Sequence, residues 1–299
     1  MSSIKTSIFK VTAEIQSFGG KLVKLQHTSN ETKTDMDVNV YLPAQFFANG
    51  AKGKSLPVLL YLSGLTCTPN NASEKAFWQP YANKYGFAVV FPDTSPRGLN
   101  IEGEHDSYDF GSGAGFYVDA TTEKWKENYR MYSYVNSELL PKLQADFPIL
   151  NFDNISITGH SMGGYGALQL FLRNPGKFKS VSAFSPISNP TKAPWGEKCF
   201  SGYLGQDKST WTQYDPTELI GKYQGPSDSS ILIHVGKSDS FYFKDHQLLP
   251  ENFLNASENS VFKGKVDLNL VDGYDHSYYF ISSFTDVHAA HHAKYLGLN

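Results

Sequence analysis

The sequence predicts an α/β fold: a mostly parallel central sheet with helices on both faces and an antiparallel portion at its N-terminal end. Three observations carry this. From residue 56 onward, short apolar runs of strand length alternate with helix-like stretches, the order that right-handed strand-helix-strand crossovers require. Several of those runs are apolar almost throughout, as strands buried on both faces are. Before residue 55, two runs alternate apolar and polar residues instead, as half-buried antiparallel strands do.

In chain order, Leu22–His27 and Met36–Leu42 are the alternating runs, and Pro43 ends the second. A polar turn follows at 49–54. Leu56–Leu62 reads as the first fully buried strand and runs into the loop Ser63-Gly64-Leu65-Thr66-Cys67-Thr68. Asn70 or Asn71 is placed to cap a helix through Ala76 and Tyr81 towards Gly86. Phe87–Pro92 is the next buried strand. A long irregular segment runs from Asp93 to about Thr122, and its aromatics Tyr108, Phe110, Phe116 and Tyr117 argue for ordered packing over a site. Its cluster Gly111-Ser112-Gly113-Ala114-Gly115 has neither the spacing nor the flanking elements of a nucleotide-binding loop. Met131, Val135, Leu139, Leu140 and Leu143 give a helix from about Glu127 to Phe147 its apolar face, and Pro141 is expected to bend it.

The strand Ile155–Thr158 and a helix through Tyr165–Leu172 come next, then the strand Ser180–Ile187. The Pro-, Gly- and Trp-rich stretch from Asn189 to Trp211 stands after a strand end, which makes it a candidate substrate wall. Strands at Ser230–Gly236 and Val266–Val271, a helix around Leu248–Phe253 and a closing helix from about Tyr279 to Tyr295 complete the chain. Residues 1–299 are read as one α/β domain with loop insertions at about 97–122 and 189–212.

Bulk properties exclude several classes of function. A 40% hydrophobic and 18% charged composition reads as soluble and globular. A net charge of -3 without a basic cluster offers no nucleic-acid footprint. No run approaches the length of a membrane span, and the first residues have no apolar signal core. Two cysteines, Cys67 and Cys199, are too few for a disulfide framework. A reducing cytoplasm is the expected location.

The chemistry centres on Gly159-His160-Ser161-Met162-Gly163, set between a strand and a helix. That context is a nucleophile elbow: a tight turn pushes the serine out at the strand's C-terminal end, and the helix aims its positive end at it. A serine hydroxyl needs a base, and the base needs an orienting acid. In this arrangement the order along the chain is Ser, then Asp or Glu, then His. Ser161, Asp239 and His276 obey it, each just past a predicted strand end. Ser161 is thus the expected nucleophile, His276 the base and acid, and Asp239 the group that fixes the imidazole. The backbone amides of Met162 and Leu65 are the expected oxyanion donors.

Each of these residues has rivals in the sequence. Asp245 also follows the strand Ser230–Gly236, at greater remove than Asp239. Among nine histidines, His160 is expected to face away from the site and His234 lies inside a strand. His288, His291 and His292 share a helix face without accompanying cysteines or carboxylates, and read as a solvated face rather than a metal site. Cys67 is expected to lie beside the site, where alkylation would disturb activity; Cys199 reads as a packed small residue.

Beyond the elbow, the sequence resembles the S-formylglutathione hydrolase (esterase D) family over nearly its whole length. The blocks that carry the resemblance are Leu62–Thr68, Pro92–Gly98, Gly111–Ala120, Gly159–Gly164, Ala193–Gly196 and Gly273–Tyr279. It implies an α/β-hydrolase fold with the triad at Ser161, Asp239 and His276, and a glutathione thioester substrate. It also implies a role in formaldehyde detoxification, no cofactor or metal, a cytoplasmic location and a homodimer. Trp195 and Cys67 are the substrate-contact candidates, and the loop at 97–118 with the Trp195 region could hold the peptide-like part of glutathione. Two other readings remain open at this level: a broad short-chain carboxylesterase using the same triad, and a non-enzymatic module on a hydrolase scaffold.

Overall fold

The computed structural model describes residues 3–48 and 54–298; apart from Lys54, the polar turn read at 49–54 lies outside the described residues. Among the described residues nine strands form one sheet: β1 (Lys10–Ser17), β2 (Gly20–Thr28), β3 (Asp35–Leu42), β4 (Leu56–Leu62), β5 (Ala88–Pro92), β6 (Leu150–Gly159), β7 (Phe178–Phe184), β8 (Ile231–Gly236) and β9 (Val266–Val271). Their order across the sheet is β1-β2-β3-β5-β4-β6-β7-β8-β9. The first three pair antiparallel, β3 meets β5 antiparallel, and every pairing from β5 to β9 is parallel.

Strand periodicity sorts the core. In β4, Val58, Leu60 and Leu62 enter one hydrophobic cluster, while Leu59 and Tyr61 enter the cluster on the opposite face. Both faces of β4 and β5 are therefore dry, which is why these strands read as unbroken apolar runs. The alternating β2 and β3 lie at the antiparallel end, where polar positions such as Lys24 and Asp37 line a surface cavity.

The helices depart from the sequence reading in three places. The helix expected to run from Asn70 to Gly86 is two, Pro69–Lys75 and Gln79–Tyr85. Phe77, at φ 65°, breaks the turn between them. The cap of the first is Thr68 rather than an asparagine; its Oγ1 accepts from Asn70 N at 3.3 Å, and Asn71 Oδ1 accepts from Thr68 N at 2.8 Å. The helix expected from Glu127 starts at Met131, because residues up to Asn128 are held in turns. Its middle, Tyr134–Leu139, is a π-helix. Pro141 lacks an N–H and would crowd the carbonyl one turn back, and the wider turn ahead of it relieves both conflicts.

The third departure lies under the closing helix, Tyr278–Tyr295. His288 and His292 are fully buried against β7 instead of solvated. His292 Nδ1 bonds Ser180 Oγ at 2.8 Å and its Nε2 bonds Ser182 Oγ at 2.7 Å. His288 Nδ1 also reaches Ser182 Oγ, at 2.8 Å, and its Nε2 meets His234 Nδ1 at 3.0 Å. Ser156 and Thr158 of β6 extend the network through Ser180 and Ser182. Here a polar strand face is covered by a polar helix face, and each polar group is stable inside only because it has a partner.

Candidate active site

The C-terminal ends of β4, β6, β8 and β9 lie on one edge of the sheet, and the loops leaving them build the site. The elbow after β6 depends on its glycines. A Cβ on Gly163 would lie 1.9 Å from Leu62 O, and one on Gly159 would lie 2.2 Å from Gly163 O. Strand and helix therefore approach with no space for a side chain. Ser161 sits at the apex with φ 57° and ψ -118°, a strained conformation for a residue with a Cβ. It is held there by Ser161 N donating to Phe184 O at 2.9 Å and by its own carbonyl accepting from Tyr165 N at 2.9 Å. The helix Met162–Arg173 starts at once, so its positive end faces the serine.

Two loops bring the acid and the base together. Ser238 N donates to Tyr274 O at 2.9 Å, and Lys237 N donates to Val271 O at 2.8 Å. A Cβ on Gly236 would lie 2.2 Å from Tyr274 O, so this approach too depends on a glycine. Asp239, fully buried, accepts from Phe241 N at 2.9 Å through Oδ1 and contacts His276 Nδ1 at 2.5 Å through Oδ2. The first bond makes Asp239 the cap of the short helix Ser240–Phe243. A carboxylate only accepts, so Nδ1 is the donor, and in the neutral imidazole Nε2 is then the acceptor. The imidazole is held between Phe241, edge-on with centroids 4.8 Å apart, and His160 at 4.5 Å.

Ser161 and His276 line one cavity of about 280 Å³ together with Gly64, Leu65, Thr66, Cys67, Tyr108, His160, Trp195, Phe241 and Tyr278. Among the described residues, no hydrogen bond joins Ser161 Oγ to His276 Nε2; such contacts tighten when substrate is bound. The amides of Leu65 and Met162 likewise have no acceptor within the described chain, whereas their neighbours do: Thr66 N donates to Gly113 O at 2.9 Å and Gly163 N to His160 O at 2.7 Å. Tyr117 Oη braces the Leu65 loop from beneath by donating to Ser63 O at 2.8 Å. The long segment after β5 thus holds the loop's backbone through Gly113 and Tyr117, and Tyr108 is the member of its aromatic set that lines the cavity.

This arrangement has relatives. The Esterase family model matches residues 29–293. The S-formylglutathione hydrolase of Saccharomyces cerevisiae is 51% identical, covering 97% of this chain and 99% of its own. That of Rattus norvegicus is 52% identical, covering 93% and 95%. The chain belongs to the S-formylglutathione hydrolase family. A solved structure of an S-formylglutathione hydrolase from Agrobacterium tumefaciens superposes with a TM-score of 0.87 at 42% identity, over 96% of this chain and 99% of that one. The α/β-hydrolase fold expected from the sequence is therefore the fold observed.

Within this S-formylglutathione hydrolase family member, the sequence-derived site residues separate as follows. Ser161, His276, Leu65, Cys67 and Trp195 line the cavity, and Asp239 stands behind His276. His160 does not face away: it forms part of the wall, packed on His276 and 6.1 Å from the Tyr278 ring. A Cβ at Gly64 would lie 3.2 Å from His160 O and 3.3 Å from Ser161 Cβ, so this loop passes close against the elbow. Burial first, then the neighbouring His276, hold His160 well below the usual imidazole range, so it is a neutral wall. Phe241 and Tyr278 also line the site, and neither belongs to a local catalytic motif; only their neighbours Asp239 and His276 mark their positions.

Cys67 Sγ lies 3.6 Å from Tyr278 Oη, and burial pushes its thiol above the ordinary value. Slow inactivation by N-ethylmaleimide is therefore expected, accelerating as pH rises through and beyond the normal thiol range. A single adduct at Cys67 in the mass spectrum and resistance of Cys67→Ser are the checks. Fully buried Cys199 is expected to stay unmodified.

Proposed function

We propose that this chain hydrolyses S-formylglutathione to glutathione and formate, serving formaldehyde detoxification, with Ser161, His276 and Asp239 as its triad. The observation that carries the reading is the His276–Asp239 bond beside a serine held at a strained elbow, in a chain half identical over its length to proteins of that name. Ser161 Oγ attacks the formyl carbon while His276 Nε2 takes its proton. The amides of Leu65 and Met162 receive the developing oxyanion. The C–S bond then breaks, and the thiol leaves with the proton from His276. Water, deprotonated by His276, attacks the formyl ester; formate departs and Ser161 regains its proton. Asp239 keeps Nδ1 protonated throughout and stabilises the imidazolium. A formyl carbon bears only hydrogen, so the small cavity walled by Leu65, Trp195 and Phe241 is ample for it.

Steady-state hydrolysis of S-formylglutathione beside a short-chain aryl ester tests this. A higher kcat/KM for the thioester is expected. Equal or better ester turnover would make the protein a broad short-chain carboxylesterase with the same triad. The reading also carries a cytoplasmic location and a homodimer, supported by the family resemblance and checked by fractionation and light scattering. No described helix is long and apolar enough to cross a membrane.

A further inference from the structure

Beside the reacting cavity lies a second, of about 470 Å³, and the two share Tyr108, Trp195 and Phe241 as walls. Their chemistry differs. The first surrounds Ser161 with mainly apolar and aromatic groups; the second adds Asp109, Lys198, Asp245 and Gln247. The shared wall is built rather than incidental: Trp195 Nε1 donates to Tyr108 Oη at 3.2 Å, and Trp195 N donates to Gln247 Oε1 at 2.9 Å. Lys198 Nζ donates to Asp109 Oδ1 at 2.5 Å and to Ser107 Oγ at 3.0 Å. An ammonium has three N–H bonds, so one remains for a ligand. Its side chain is 45% exposed while that of Asp109 is 15% exposed, so the cation is held in place yet open to the cavity. Asp245 is exposed, and its carboxylate has no partner among the described residues.

We propose that this second cavity binds the peptide arms of the glutathione leaving group, with Lys198 receiving a carboxylate and Asp245 the ammonium. The proposal rests on the function given above. The thioester sulfur must stand at Ser161, so the arms must leave the reacting cavity. At neutral pH they carry two carboxylates and one ammonium, and the adjoining space offers a partner for each sign of charge. Binding energy gathered there, away from the reacting atoms, is what would distinguish this thioester from a small one of equal reactivity.

The test compares S-formylglutathione with the formyl thioester of N-acetylcysteamine, which has the same reacting group without charged arms. The variants are Lys198→Ala and Asp245→Asn, with Lys198→Arg as the conservative control. Each of the first two is expected to lower the ratio of kcat/KM for S-formylglutathione to that for the armless thioester by about fivefold or more. The loss should sit in KM for S-formylglutathione, and Lys198→Arg should retain most of the ratio. A smaller change in the ratio, or equal losses on both substrates, would overturn the subsite. If the native protein failed to turn over S-formylglutathione at all, the functional reading would fall instead.

Discussion

Ser161→Ala is expected to lower kcat by about 10⁴- to 10⁶-fold with the fold intact. The hydroxyl supplies the oxygen that attacks the formyl carbon of the thioester in the first step of the proposed mechanism. Alanine has the same Cβ, so the strained backbone at φ 57° is neither relieved nor worsened. The amides of Leu65 and Met162 and the cavity walls stay in place, and they account for the residual rate. His276→Ala should cost a similar factor. Combining the two should cost little more, because serine and base act as one unit. Asp239→Asn should lose about 10⁴-fold, since an amide nitrogen can donate to Nδ1 and favour the wrong tautomer. Steady-state rates with circular dichroism and thermal melts decide the matter. A loss below about tenfold for Ser161→Ala with unchanged melting would remove Ser161 from the mechanism.

The second large effect is on stability in acid. Burial pushes His27 and His291 down to about 4 and holds His288 and His292 well below the usual range. In the unfolded chain these imidazoles return to about 6.5. Between the folded and unfolded values the unfolded chain binds more protons, so stability rises with pH there. The contribution is complete above about pH 6.5 and is lost as pH falls from there towards 4. Several such groups acting together remove on the order of several kcal/mol, a large share of a typical domain's stability. Tm is therefore expected to fall steeply from pH 6.5 to pH 4.5. His292→Gln, which keeps hydrogen-bonding capacity without titrating, is expected to flatten the slope even if it lowers Tm at pH 7.5. A Tm constant from pH 7.5 to pH 5 would show that the network tolerates charge.

The site was legible in the sequence wherever chemistry depends on local order. Gly159, Ser161 and Gly163 form one turn, and steric exclusion at Leu62 O demands both glycines. Asp239 and His276 each follow a strand end directly, so the parallel topology places them on the same sheet edge as Ser161. Asp245, the rival acid, lines the neighbouring cavity instead.

The misreadings have a common cause. Ser156, Thr158, Ser180 and Ser182 alternate with Ile155, Ile157, Val181 and Ala183, a pattern that locally resembles a strand with one wet face. His288 and His292 likewise resemble the wet face of a helix. In the folded chain these two polar faces cover each other. His160 departs from expectation for a related reason: its place in the cavity wall comes with ring packing on His276 and Tyr278, which arrive from a distant loop.

By itself, then, the sequence determined the parallel α/β order, the elbow and the strand ends that carry the proposed nucleophile, base and acid. Each of these follows from periodicity, steric limits or spacing along the chain. Only the tertiary structure decided which polar groups are buried, that His160 and Phe241 hold the imidazole, and that a charged cavity adjoins the reacting one. Burial and side-chain pairing depend on which distant segment arrives as a neighbour, and a local pattern carries no record of that partner.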